Sequence, residues 1–271
     1  MNWRTPLFFL LVITSWVFLS PASGLSQDGL WKRIDEGLFL GEFQSHGLTL
    51  VKVASTAYSY KLLSASENNN VRMTAKKWCQ THNLISATNA GMYWTDGVTN
   101  VGYMKNFNHI NNPRLNTRYN AVLAFNRVDA TVPYVQIIDL KCQEYERLKD
   151  KYQTFIQGIR MVSCRQENVW EKQERMWSIA AFGMDTNGNG LFIFGETPYS
   201  VHDFTNILLS LPISLYNAMY LEGGPEATLY FSAKGVEFEK IGSHETALGE
   251  NGFRKTARPL PNVIGIARKS R

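Results

Sequence analysis

Short runs in which apolar and polar residues alternate recur along the chain: Thr49 to Val53, Tyr58 to Leu62, Tyr119 to Phe125 and Tyr134 to Ile138. A period of two sends successive side chains to opposite faces, so these segments predict strands, mostly with one covered face. Leu84 to Thr88, Phe155 to Val162, Ile179 to Met184 and Leu191 to Phe194 are apolar or β-branched and predict further strands. Helical character is confined to Arg72 to His82, Cys142 to Lys149 and Val201 to Leu209, the last with Ser200 as N-cap and Pro212 just beyond its end. Strands outnumber helices and do not alternate regularly with them. The pattern predicts an α+β fold with mixed, largely antiparallel sheets and a few flanking helices, rather than a doubly wound parallel one.

At the amino terminus Arg4, the apolar stretch from Pro6 to Leu19 and the small residues from Ser20 to Gly24 read as a secretory signal over residues 1–24; the apolar run is short for a membrane span, an uncleaved amino-terminal anchor is the alternative, and no stable span is expected after cleavage. Export to a periplasmic or extracellular compartment follows as an expectation. Residues 25–271 carry no linker, repeat or charge block and are expected to form one domain with a substantial core. The soft stretches are Ser66 to Asn70, Asn106 to Asn112 and the region from Ala233 onward. Removing Arg4 lowers the formal charge from +5 to +4. That modest excess does not point to nucleic acid; Arg254, Lys255, Arg258, Arg268, Lys269 and Arg271 form either a solvated basic tail or an attraction for anionic polymers. Of the 3 cysteines, Cys142 and Cys164 are the expected disulfide for an oxidising compartment, and Cys79 is expected to be buried packing.

Two glycine-centred elements far apart in sequence carry the candidate chemistry: Asn89-Ala90-Gly91-Met92-Tyr93 and Tyr220-Leu221-Glu222-Gly223-Gly224-Pro225. Each follows a strand-like run and opens into a turn, where glycine permits positive φ and close approach of a ligand to the backbone. A polar residue there is held by the sheet yet free to meet a substrate, so Asn89 and Glu222 are the first candidates.

These two elements, the hairpin Gly97 to Tyr103, the strand Trp177 to Asp185, the strand Leu191 to Phe194 and the short helix after it occur in an order that resembles the phosphodiester glycosidase family. The resemblance covers roughly residues 45 to 235. It implies an exported hydrolase that cleaves the glycosidic bond of a sugar 1-phosphodiester in a glycan or envelope polymer. Such a reaction expels a phosphate ester, already a stable anion, so the chief needs are a carboxylate for the oxocarbenium-like centre or the water, and donors for the phosphate. The resemblance assigns Glu222 as catalytic carboxylate. Asp96 is the candidate second carboxylate, and Asn89, Gly91, Tyr93, Arg160, Gly223 and Gly224 are the candidate substrate-binding residues. Arg160, in an apolar strand after a glycine, serves either an internal ion pair or an anion, and the resemblance favours the anion.

Two departures change this picture. Glu222 stands where members of the resembled family have Asp, and Ile179-Ala180 where they have an Arg-Thr pair, removing an expected phosphate clamp, so that either Arg160 or Arg175 substitutes for it or the substrate differs. The alternative is a non-catalytic envelope protein that binds anionic polysaccharide or helps assemble it. No cofactor is expected. Asp185-Thr186-Asn187-Gly188-Asn189-Gly190 with Glu196 matches a calcium-loop pattern at Asp185, Asn187 and Asn189, but strands flank it instead of helices, so a hairpin turn is expected. The 5 histidines lack zinc-ligand spacing, and His202-Asp203 reads as a helix start.

Overall fold

A computed structural model describes residues 30–244 and 256–269, besides Met1; the segment read as a secretory signal, and Arg254, Lys255 and Arg271, lie outside the described residues. Two antiparallel sheets face each other. The larger has the order β1 (Lys32–Asp35), β2 (Leu38–Phe43), β3 (Leu48–Val53), β12 (Gly190–Tyr199), β11 (Trp177–Asp185), β13 (Leu215–Gly223), β10 (Tyr152–Val162), β6 (Met104–Asn106) and β7 (His109–Asn112). Strands β8 (Ala121–Arg127) and β9 (Val135–Asp139) extend it from β10. The smaller runs β15 (Val236–Ile241), β14 (Thr228–Ala233), β5 (Ser86–Asn89), β16 (Asn262–Arg268) and β4 (Tyr58–Ser64). The α+β, largely antiparallel expectation matches this architecture.

Alternation sorts each strand between two cores. In β11, Ala180, Phe182 and Met184 enter the space between the sheets, whereas Ile179 and Ala181 face outward beneath α3 (Val201–Ser210) together with Phe204 and Leu208. In β16, Ile264 and Ile266 join the inter-sheet core, whereas Val263 packs beneath α1 (Ala75–His82) with Trp78 and Cys79. Tyr60, Phe182 and Phe192 lock the centre, with Tyr60 stacked on Phe192 at 6.0–6.4 Å from its ring neighbours. The helices therefore exist chiefly to cover the outer faces of sheets that are apolar on both sides.

Local chemistry sets the helix ends. Thr74 caps α1 by accepting from the Lys77 N–H at 3.2 Å, and Asn83 closes it in the left-handed region at φ 53°. Ser200 caps α3 as expected, accepting from the Asp203 N–H at 3.1 Å. The expected helix over 142–149 shrinks to α2 (Tyr145–Leu148), because the Cys142 and Gln143 N–H groups turn back onto the Asp139 carbonyl at 2.9 and 2.8 Å. The Cys142–Cys164 disulfide is present, and Cys79 is buried, its thiol pushed up to about 12 by that burial. Two soft stretches are structured: Asn106 to Asn112 holds most of the β6–β7 hairpin, and the region after Ala233 supplies β15 and β16, the latter hydrogen-bonded to strands on both sides.

Candidate active site

The two glycine-centred elements meet where β5 and β13 end. Asn89, only 2 % exposed, reaches across from β5: its Nδ2 donates to the Glu226 carbonyl at 2.9 Å and its Oδ1 accepts from the Thr228 N–H at 2.8 Å. Both ends of the amide are thereby spent on the turn between β13 and β14, which makes Asn89 the clamp that fixes the Glu222-Gly223-Gly224 segment. Its side chain thus bonds backbone, in the turn of the other glycine-centred element rather than in its own.

Glu222 sits half-buried near the end of β13, opposite Ala180 of β11, with Oε1 accepting from the Gly223 N–H at 3.0 Å. Burial pushes its carboxyl from 4.5 up to about 7; the Gly223 hydrogen bond opposes the rise and the Glu226 charge adds to it. Three phenols surround it. Burial raises Tyr93, Tyr119 and Tyr220, and the Glu222 charge contributes to all three. Tyr220 accepts from the Trp177 indole Nε1 at 3.1 Å, and the Trp170 ring lies 5.4 Å from the Tyr220 ring.

The glycines are steric necessities here. A Cβ on Gly223 would collide with the Trp177 indole and the Tyr220 hydroxyl. Gly224 has φ +66° and a Cβ there would come within 2.7 Å of the His244 ring. Gly91 has φ +124°, and its Cβ would lie 2.7 Å from Asn100 Oδ1, a buried oxygen with no partner.

Two expected residues take other roles. Asp96 is exposed and its Oδ1 accepts from the Val98 and Thr99 N–H groups at 2.9 Å each. Hydrogen bonds from the Thr99 side chain and from those amides hold its carboxyl below the usual range, so the use the fold makes of it is to close its own turn. Arg160 donates from Nη1 to both oxygens of Asp139, at 2.8 and 3.0 Å, and Asp139 is 1 % exposed. The guanidinium is the internal partner of a buried carboxylate, the first of the two uses the sequence leaves open.

Other charged groups stand beside Glu222. Glu226, two residues after Gly224, is a neighbouring carboxylate, half-buried, ion-paired with Arg258 and close enough for its charge to act on Glu222. Arg258 belongs to the basic cluster read as a tail. Arg72 lies at the same place: its guanidinium is 2.9 Å from a Cβ built on Gly97, and the charges of Arg72 and Arg258 both lower the Tyr93 phenol against the two glutamates. No spacing rule links residues 72, 226 and 258; only the fold does.

At the candidate calcium loop, Asp185 Oδ1 accepts from the Asn187 and Asn189 N–H groups at 2.9 and 2.8 Å, and Oδ2 from Asn189 Nδ2 at 2.8 Å. The carboxylate is held by three hydrogen bonds from its own β11–β12 hairpin. A cavity of about 500 Å³ opens beside that hairpin, at the opposite end of β13 from Glu222. His202 bonds through Nδ1 to Asp203 at 3.3 Å, at the start of α3.

A half-buried carboxyl pushed up by burial, a salt-bridged carboxylate next to it and phenols around it are groups from which acid–base chemistry can be built. The phosphodiester glycosidase family model matches residues 82–267, and the chain belongs to that family. The match extends past residue 235 and takes in most of β16. The fold is similar to that of the zebrafish N-acetylglucosamine-1-phosphodiester alpha-N-acetylglucosaminidase catalytic domain auto-inhibited by its pro-peptide, at TM-score 0.60 and 14 % identity over 85 % of this chain and 78 % of that one. It is also similar to a hypothetical protein from Synechocystis, at TM-score 0.56 and 13 % identity, covering 85 % of this chain and 62 % of that one. No curated protein matches the chain in sequence.

Proposed function

We propose that this protein hydrolyses the glycosidic bond of a sugar 1-phosphodiester, with Glu222 as the catalytic carboxylate. The observation that carries the reading is Glu222 itself, a carboxyl held at about 7 beside the Glu226–Arg258 pair, in a chain of this family. A base is most effective when its ordinary ionisation lies near the working pH, because it is then both available and able to hold a proton. Ionised Glu222 would stabilise positive charge at the anomeric carbon or take a proton from the attacking water. The departing phosphate ester needs little acid assistance.

Arg72 and Arg258 would hold the phosphate. Both are exposed, and Arg258 can exchange its partner Glu226 for the incoming anion. The Tyr93 and Tyr119 hydroxyls would donate to sugar or phosphate oxygens. Export to a periplasmic or extracellular compartment belongs to the same proposal; the Cys142–Cys164 disulfide supports it, since such bonds persist in oxidising compartments. Among the described residues no helix is long and apolar enough to cross a membrane.

One observation favours a second reading. Ile179 and Ala180, at the positions of the expected Arg-Thr pair, are both fully buried opposite Gly223 and Glu222 and offer no polar side-chain atom there. A site lacking that clamp could bind an anionic glycan of the cell envelope without turning it over. Incubating purified protein with a panel of sugar 1-phosphodiesters separates the two. Release of free sugar that disappears in folded Glu222→Gln supports hydrolysis; binding without release in the wild type supports the second reading; equal release by both proteins removes Glu222 from the chemistry.

A further inference from the structure

The cavity of about 500 Å³ between β9, the β11–β12 hairpin and the start of β13 is a second candidate site. Glu222 lies six residues along β13 from Tyr216, roughly 20 Å at the usual rise per strand residue, so the two places are separate. The volume suits one or two rings of a small ligand.

Its lining restricts the chemistry. Gln136, Gln143, Gln166 and Asn217 supply neutral amides, and Val135 and Ile137 supply an apolar floor. Among the described residues no lysine or arginine lines it, and the charged lining group, Asp185, is an anion held by three hydrogen bonds from its own hairpin. A phosphate or carboxylate ligand would find no counter-charge. Tyr216 stands at the rim 40 % exposed, although it belongs to a strand whose neighbours are buried.

The amides are ordered yet not exhausted. Gln143 Oε1 accepts from the Asp139 N–H at 3.0 Å, while Gln143 Nε2 donates to Gln136 Oε1 at 3.2 Å and Gln136 Nε2 donates to the Tyr152 hydroxyl at 2.8 Å. Each Nε2 carries a second hydrogen beyond those bonds. Asn217, 2 % exposed, donates to the Ile137 carbonyl at 3.1 Å, and its Oδ1 has no partner. Buried polar atoms without partners are rare and mark functional places or strain.

We propose that this cavity is a binding site for an uncharged saccharide, distinct from the Glu222 centre. Rigid amides both donate and accept at one place, which matches neighbouring hydroxyls, and an exposed phenol ring offers the flat apolar face that sugar C–H groups cover. Its role is to hold the neutral part of a glycan while the charged linkage is handled elsewhere, adding effective concentration rather than chemistry.

The test is calorimetric titration of the full protein with chitotetraose, cellotetraose and maltotetraose, each against wild type, Tyr216→Ala and Gln143→Ala, alongside hydrolysis of a small sugar 1-phosphodiester. The expected result is binding of at least one tetrasaccharide, weakened about tenfold or more by each substitution, a factor equivalent to about 1.4 kcal/mol, with small-diester hydrolysis unchanged. Should Gln143→Ala fail to fold, Tyr216→Ala decides alone, since its side chain is at the rim. Absence of binding by all three sugars overturns the proposal. So does binding that both variants retain, which assigns the sugar to the Glu222 end, and so does preferential binding of laurate, which assigns the cavity to an acyl chain.

Discussion

Glu222→Gln is expected to stabilise the protein at alkaline pH while abolishing turnover. Burial raises the Glu222 carboxyl from 4.5 in the ordinary state to about 7 when folded. The folded protein therefore retains a proton that the unfolded chain releases, and stability falls as pH rises from about 4.5 to about 7. The full shift corresponds to about 3 kcal/mol at 1.36 kcal/mol per pH unit; partial solvent contact at a half-buried carboxylate reduces this to about 2 kcal/mol. Glutamine cannot ionise, so it avoids the cost. For a domain of this size that is a rise in melting temperature of about 4 to 8 °C at pH 8.5, shrinking to nearly nothing at pH 4, where wild-type Glu222 is protonated in both states. Differential scanning calorimetry of both proteins at the two pH values measures it. A difference in melting temperature that is the same at pH 4 and pH 8.5 would refute the argument, because a packing effect has no reason to follow the ionisation of one group.

The same ionisation predicts that kcat/KM on a sugar 1-phosphodiester climbs with pH through about 7 and then levels, as required of a group that works as its carboxylate; a profile falling through that range would make Glu222 an acid instead. Asn89→Ala strands the Glu226 carbonyl and the Thr228 N–H, and should lower stability by about 2 to 4 kcal/mol in urea unfolding and displace Glu222 enough to depress kcat. Gly223→Ala forces a Cβ into the Trp177–Tyr220 pair; activity should drop at least tenfold, with the indole signal in near-ultraviolet circular dichroism altered. Asp139→Ala leaves the Arg160 guanidinium without its partner and should cost about 3 to 5 kcal/mol, whereas reduction of the disulfide joining residues 22 apart should cost about 3 kcal/mol, both read from denaturant midpoints.

The strand inventory was legible because alternation is local: residues 49–53 and 58–62 fall inside β3 and β4. Glycine and capping chemistry made the turn at 185–190 and the start of α3 legible for the same reason. What was not legible depends on distance. Asp96 and Arg160 were plausible from their neighbours in sequence, but a carboxylate is claimed by whichever amides its loop folds against it, and a guanidinium by whichever acid the sheet puts beside it. Asp139, the partner of Arg160, is 21 positions upstream on another strand. Glu226 and Arg258 are 32 positions apart and become a pair because residues 228–233 and 262–268 flank β5 in one sheet. Position 258 looked like part of a basic tail because charge runs carry no record of what they will face.

Strand β16 has a consequence for how this molecule comes into being. It lies between β5 and β4, and its Ala267 carbonyl accepts from Ser59, 208 positions earlier. Until residues 262–268 have been synthesised, β4 and β5 have no common neighbour, β4 lacks its ladder partner, β5 is paired on its β14 side alone, and the apolar side chains of the larger sheet lack the wall that Ile264 and Ile266 provide. Closure so remote in sequence is entropically slow. Completion of the smaller sheet is deferred until residues 262–268 have emerged, and during that delay its open edges are places where the unfinished chain can pair wrongly.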